Sequence, residues 1–156
     1  MPRIWALFGA AVLIAAGMLA GCGQSNRSGG GEKQIILKPE DLRWAGNEGM
    51  HGLQTAPLAG AAKQGIPYAE RIKLPANTKL KPHSHPNAAR MVTVMSGTFY
   101  FAFGDTFDEA KLQALPAGSF FTEPANVPHY AMTKEEVVLQ LNAIGPAGTA
   151  YVQPKP

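Results

Sequence analysis

The 156-residue sequence holds a single cysteine, Cys22, and so cannot close an internal disulfide. It has no CxxC pair, which removes thiolate zinc sites. Charge is scarce as well: Asp, Glu, Lys and Arg make up 16% of the chain against 46% hydrophobic residues. That balance excludes a disordered or acidic-tail protein. No Gly-rich phosphate loop, GxSxG elbow or HExxH motif occurs, so three common catalytic signatures are missing. The basic residues are scattered and leave no stripe for nucleic acid. There is no internal repeat, and the 17 glycines and 13 prolines follow no fixed period. Collagen is excluded and many tight turns are implied. A chain of this length suits one domain.

What is present starts at the N-terminus. Arg3 precedes an uncharged run of seventeen residues, Ile4 to Ala20, short of the roughly 20 that span a bilayer. A positive start, a short apolar stretch and small residues at its end read as a secretory signal. Leu19-Ala20-Gly21-Cys22 resembles the lipobox of bacterial lipoproteins. The resemblance implies cleavage before Cys22 and its lipid modification; the alternative is an uncleaved anchor helix with an incidental cysteine. Two or more acyl chains, at about 0.8 kcal/mol per buried CH₂, hold a protein stably on a membrane. Residues 1–21 are thus expected to be a signal peptide, and 22–34 a lipidated cysteine with a Gly/Ser-rich tether. Residues 35–156 form the expected domain, lipid-anchored in the bacterial envelope and facing the periplasm or exterior. Loss of Arg3 leaves 13 basic against 11 acidic side chains, a balance of +2 instead of +3. The hint of a polyanionic partner fades accordingly.

From Ile66 onward, short β-type runs alternate with Gly, Pro and Asn punctuation. The runs are 66–74, 90–95, 98–103, 119–123, 129–132 and 137–144. Such spacing, with Val, Phe, Tyr and Ile prominent, predicts an all-β sandwich or barrel. Two stretches, Pro39–Arg43 and Thr106–Gln113, are short helix candidates without a sustained apolar stripe. Residues 47–64 read as loop with one weak strand.

Three of the four histidines are placed as a metal site would want them. His83 and His85, in Pro82-His83-Ser84-His85-Pro86, are two apart at a strand, where alternation sends both to one face. His129 opens a later run. The segment resembles the first cupin motif, which runs HxH, three or four residues, Glu, six residues, Gly. Here four residues follow His85, then Arg90, then six residues and Gly97. Pro116-Ala117-Gly118 and His129 resemble the second motif, PxG followed at a distance by His. The resemblance covers Ile66 to Val152. It implies a cupin-type double-stranded β-helix, a jelly-roll barrel, with His83, His85 and His129 as metal ligands near one mouth.

The carboxylate position of the first motif is held by Arg90, which cannot ligate a cation and stays charged. At about 6 Å from a dication, with an effective dielectric near 20, each unit of ion charge would cost roughly 3 kcal/mol. Three arrangements answer this. Arg90 turns outward to an ion pair, or it clamps an anionic substrate beside the metal, or another carboxylate takes the missing place. Glu123 is the candidate for that place, since it ends the apolar strand 119–122 just before a proline turn. The competing reading pairs it with Arg90 or a lysine at the rim. His51 lies in a Gly-rich loop and reads as solvated. Tyr130, next to His129, is expected on the opposite face of its strand. Phe99, Tyr100, Phe101, Phe103, Phe120 and Phe121 are expected in the core or on the outer wall.

Imidazole ligands suit Fe, Mn, Ni, Cu or Zn, and three of them leave positions open. The resemblance implies oxygenase, isomerase or lyase chemistry on a small anionic molecule. Where the chain departs from the family pattern, Arg90 would orient that molecule and Glu123 would be fourth ligand or general base. The rival from another class is a non-catalytic module that senses or captures a small ligand, and a third is a purely structural lipoprotein. A homodimer is compatible with the resemblance; nucleic acid is not expected as a partner.

Overall fold

A computed structural model of the chain describes residues 34–46, 52–86 and 89–153. Contacts divide the chain after Gln34, and the strands described here lie in the second unit, Ile35–Pro156. Cys22 and His51 lie outside the described residues. The strands run in order β1 (Ala45–Gly46), β2 (Gln54–Ala59), β3 (Pro67–Leu74), β4 (Lys79–Ser84), β5 (Arg90–Ser96) and β6 (Thr98–Phe103). They continue with β7 (Gln113–Pro116), β8 (Phe120–Glu123), β9 (His129–Thr133), β10 (Val137–Ile144) and β11 (Ala150–Tyr151). They form two antiparallel sheets, β1-β2-β3-β10-β5-β8 and β11-β4-β9-β6-β7. This is the all-β, two-sheet architecture the sequence pattern implies.

The β10 strand shows why the sequence folds this way. Val137, Leu139, Leu141 and Ala143 are buried, while Val138, Gln140 and Asn142 between them are only half-buried. Period-two alternation therefore gives β10 one apolar face, and β3 and β5 flank it on either side. Leu74, Val92, Val94, Phe99 and Phe101 join the same core. Each such side chain contributes about 1.5–3 kcal/mol when removed from water.

Both motif glycines answer backbone demands. Gly97 alone joins β5 to β6 at φ 73°, and a Cβ there would meet the Glu136 carbonyl at 2.5 Å. Gly118 turns the chain between β7 and β8 at φ 89°. Any other residue would be strained at either position.

Neither helix candidate becomes an α-helix. The first shrinks to a 3₁₀ turn at Pro39–Asp41, and the second to one at Glu109–Lys111. In the second, Asp108 caps the Ala110 amide, and Leu112 returns at once to extended backbone. With no apolar stripe to bury, nothing extends the turn, and Gln113 begins β7 instead. The weak strand in 47–64 is β2. Among the described residues no helix is long and apolar enough to cross a membrane.

Candidate metal centre

Two cross-strand rows, one from each sheet, build the site. Residues paired across antiparallel strands share a face. In the five-stranded sheet, Tyr151 pairs with His83, His83 with His129, and His129 with Phe103. In the six-stranded sheet, Tyr68 pairs with Ala143, Ala143 with Arg90, and Arg90 with Glu123. The central residues of both rows line a cavity of about 300 Å³, whose remaining wall is largely apolar.

His83 points inward only because β4 is irregular. Leu80 lines the same cavity, and strict alternation from it would place Pro82 inside and His83 outside. The β4–β9 register shifts between Leu80 and His83, so an extra residue re-aims His83 into the lumen. His85 lies one residue beyond β4, rather than within the strand as its spacing suggested. It remains buried on the same side as His83, and its Nδ1 meets the Gly148 carbonyl at 2.7 Å. Gly148 belongs to the segment that crosses between the sheets from β10 to β11.

The other two rings are held in one common way. His83 Nδ1 meets the Lys81 carbonyl at 2.7 Å, and His129 Nδ1 meets the Val127 carbonyl at 3.0 Å, each two residues back. A carbonyl can only accept, so each Nδ1 carries the proton and each Nε2 presents a bare lone pair. Burial lowers the pKa of all three rings below the ordinary histidine value. For His85, burial and then the charge of Arg90 push it down to about 3. The rings are therefore neutral imidazoles at physiological pH, the form that binds metals.

Ring centroids of the three histidines are 4.5–5.2 Å apart. One ligating nitrogen from each lies within 4.8 Å of the others, close to the reach of two bonds of about 2.1 Å. Glu123, also buried, places Oε2 3.4 Å from His85 Nε2 and Oε1 3.7 Å from His129 Nε2. Burial raises its pKa, opposed first by Arg90 and then by His83. His129 Nε2 and Glu123 Oε2 are buried without a hydrogen-bond donor. His129 Nε2, a buried acceptor without a donor and 3.7 Å from Glu123 Oε1, is what a cation would satisfy, so the donor set fits a divalent metal.

Arg90 does not turn outward. Its side chain is 15% exposed, and Nη1 lies 3.2 Å from Glu123 Oε2, an ion-pair distance without hydrogen-bond alignment. The same Nη1 lies against the edge of the His85 ring, within hydrogen-bond distance of Nε2 and 3.2 Å from Nδ1. Glu123 thus pairs with Arg90, and it also lies 3.4 Å and 3.7 Å from two of the histidines. Tyr130, fully buried on the opposite face, packs 5.1 Å from the Phe107 ring and donates its hydroxyl to the Asp108 carbonyl at 3.2 Å. Phe101 stacks beside His129 at 5.4 Å, whereas Phe103 and Phe120 are more than half exposed.

Three lumen features lay beyond the sequence reading. Tyr68 and Glu70 both line the cavity from β3. Burial raises both pKa values, and the charge of Arg90 opposes each shift. The signal was a carboxylate on the inward alternation Tyr68, Glu70, Ile72, Leu74, an otherwise apolar face. The Gly148 carbonyl left no signal, because only the chain crossing brings it to His85.

Comparison with known proteins bears on these features. A family model described as Domain of unknown function (DUF4437) matches residues 25–145. Germin-like protein 3-1 of Oryza sativa subsp. japonica is 39% identical over 75 residues, covering 48% of this chain and 33% of the relative. The chain thus spans about a third of that relative's length. The polyketide cyclase RemF of Streptomyces resistomycificus superposes with a TM-score of 0.64 at 13% identity, over 79% of this chain and 88% of RemF. An RmlC-like cupin from Shewanella frigidimarina gives 0.57 at 19% identity, over 72% and 91%. At these identities the structural likeness establishes the fold.

Proposed function

Because the chain belongs to the DUF4437 family, and through its fold to the cupin superfamily, we propose that it binds one divalent transition metal ion through Nε2 of His83, His85 and His129. The observation that carries this reading is the common tautomer: three buried, neutral rings each spend Nδ1 on a backbone carbonyl, which leaves Nε2 unprotonated, and one ligating nitrogen from each lies within 4.8 Å of the others. Glu123 is the fourth ligand in this reading. Fe, Mn, Ni, Cu and Zn all suit imidazole and carboxylate donors, and the bound metal would supply Lewis-acid activation of a ligand oxygen. This chain's own residues do the rest. Arg90 binds and orients an anionic group, Glu123 holds or moves a proton when it is not ligating, and the apolar wall excludes water. Oxygenase, isomerase or lyase chemistry on a small anionic molecule is the enzymatic form of this proposal. A fold shared with a polyketide cyclase supports an enzymatic use without fixing the reaction.

The test is metal content. The full chain, purified in detergent under anaerobic conditions without added metal, is expected to carry or take up close to one ion per molecule. No metal, and no uptake of Fe, Mn, Ni, Cu or Zn on titration, would overturn the proposal. A second reading, a metal-free module that captures a small ligand, draws support from the Arg90 contact with the edge of the His85 ring. It expects ligand binding that is indifferent to chelators.

The proposal includes a lipid anchor at Cys22 in a bacterial envelope, supported by Leu19-Ala20-Gly21-Cys22 and the Gly/Ser-rich tether. Metabolic labelling with a radioactive fatty acid is expected to mark the wild type and not Cys22→Ser. Equal labelling of the two would remove the anchor.

A further inference from the structure

Arg90 and the proposed metal draw on the same atoms. Its Nη1 lies against the edge of the His85 ring and 3.2 Å from Glu123 Oε2. A metal on Nε2 would lie in contact with that Nη1, and in the four-ligand arrangement it needs a carboxylate oxygen as well. Arg90 sits on β5 between β10 and β8 and is largely shielded from solvent. The lumen already gives Arg90 a second set of neighbours, away from His85. Tyr68 and Glu70 face the cavity from β3, two strands away, and Tyr68 lies in the same cross-strand row. Two strand spacings are about 9.6 Å, a gap that Arg90 and Tyr68 close between them, since their side chains already share a hydrogen bond. Beside these neighbours the guanidinium keeps a carboxylate partner while its fork turns to the open cavity.

The rest of the cavity says what would join it there. Beyond the polar cluster the wall is Leu53, Ile72, Val92, Phe99, Leu139 and Leu141. A volume of about 300 Å³ leaves room for a small molecule. A dication and a guanidinium in one lumen repel each other, and an anion between them relieves both. A carboxylate also matches the fork of arginine bidentately.

Resting on the reading of the histidines as metal ligands, we propose that Arg90 is an internal competitor of the metal, and that the site takes up a metal ion and a small apolar-bodied carboxylate cooperatively. The carboxylate draws Arg90 off His85 Nε2 and frees the ligand set, while its hydrocarbon part fills the apolar depth. By linkage, the metal tightens the carboxylate by the same factor as the carboxylate tightens the metal.

The experiment is calorimetric titration of Zn²⁺ into metal-free full-length protein, alone and with saturating benzoate or acetate, for wild type and Arg90→Gln. Benzoate is expected to lower the wild-type Kd for Zn²⁺ about tenfold or more, and acetate by less, since it lacks an apolar body. Arg90→Gln is expected to bind Zn²⁺ at least about tenfold more tightly than wild type without any carboxylate, and to lose most of the benzoate effect. Equal Zn²⁺ affinity in the two proteins, or a benzoate effect undiminished in Arg90→Gln, would overturn the competition. An acetate effect equal to that of benzoate would overturn the apolar-bodied ligand. The wild-type arms need no variant, so a misfolded Arg90→Gln leaves the benzoate comparison decisive. Absence of Zn²⁺ binding in every arm overturns the metal reading itself, which separates that failure from failure of the coupling.

Discussion

The two sheets bring opposite kinds of chemistry to the same lumen. The five-stranded sheet offers neutral rings, and His83 and His129 are each pinned to a carbonyl two residues earlier in their own chain. The six-stranded sheet offers charges, Arg90 and Glu123, held mainly by one another and by the rings opposite. Arg90 Nε, Glu123 Oε2 and His129 Nε2 are buried without hydrogen-bond partners, but each imidazole is still anchored through a satisfied Nδ1. One wall is therefore preorganised and the other adjustable. Ligand geometry belongs to the first wall, and the choice of what binds belongs to the second.

Substitutions can separate the two walls. The largest effect should come from the apolar floor on which both stand: Leu141→Ala is expected to cost about 2–5 kcal/mol in chemical denaturation, with metal stoichiometry retained. His129→Ala removes a pinned ligand and is expected to weaken metal binding at least about 100-fold, read by competition with a chromogenic chelator. Glu123→Gln touches only the adjustable wall. It is expected to weaken the metal about tenfold, and a loss as large as that of His129→Ala would erase the distinction between the walls.

The smallest effect concerns Glu70, whose folded-state pKa burial raises, opposed by Arg90. For such a carboxylate the fold binds the proton more tightly than the unfolded chain does. Its contribution to stability is therefore best below the usual carboxylate range and is lost as pH rises through the raised value. Glu70→Gln should raise Tm slightly at pH 7, the gain being kept small by solvent screening of a half-buried group. The gain should vanish near pH 4. A destabilised Glu70→Gln at pH 7 would instead show that Arg90 depends on Glu70 in the resting protein.

The walls also differed in how far the sequence revealed them. The long strands announced themselves, because runs such as Val137–Ile144 carry period-two alternation bounded by turn residues. β7 did not: it is a four-residue edge strand with no buried side chain, and edge burial leaves little pattern. His83, His85 and His129 were legible from spacing, but the irregularity in β4 that aims His83 inward depends on pairing with β9, a long-range event. Arg90 was legible as an anomaly, while its direction was not. The pairing of β5 with β8 sets Arg90 opposite Glu123, and nothing local to either residue encodes that.

The most direct test of the central claim, that three Nε2 atoms converge on one ion, is nitrogen-15 NMR of the histidine side chains during Zn²⁺ titration. The metal-free protein should show His83, His85 and His129 as neutral Nδ1–H tautomers at pH 7. One equivalent of Zn²⁺ should then shift all three Nε2 resonances together and leave His51 unmoved. Nε2–H tautomers at rest, or a Zn²⁺ response confined to His51, would contradict it.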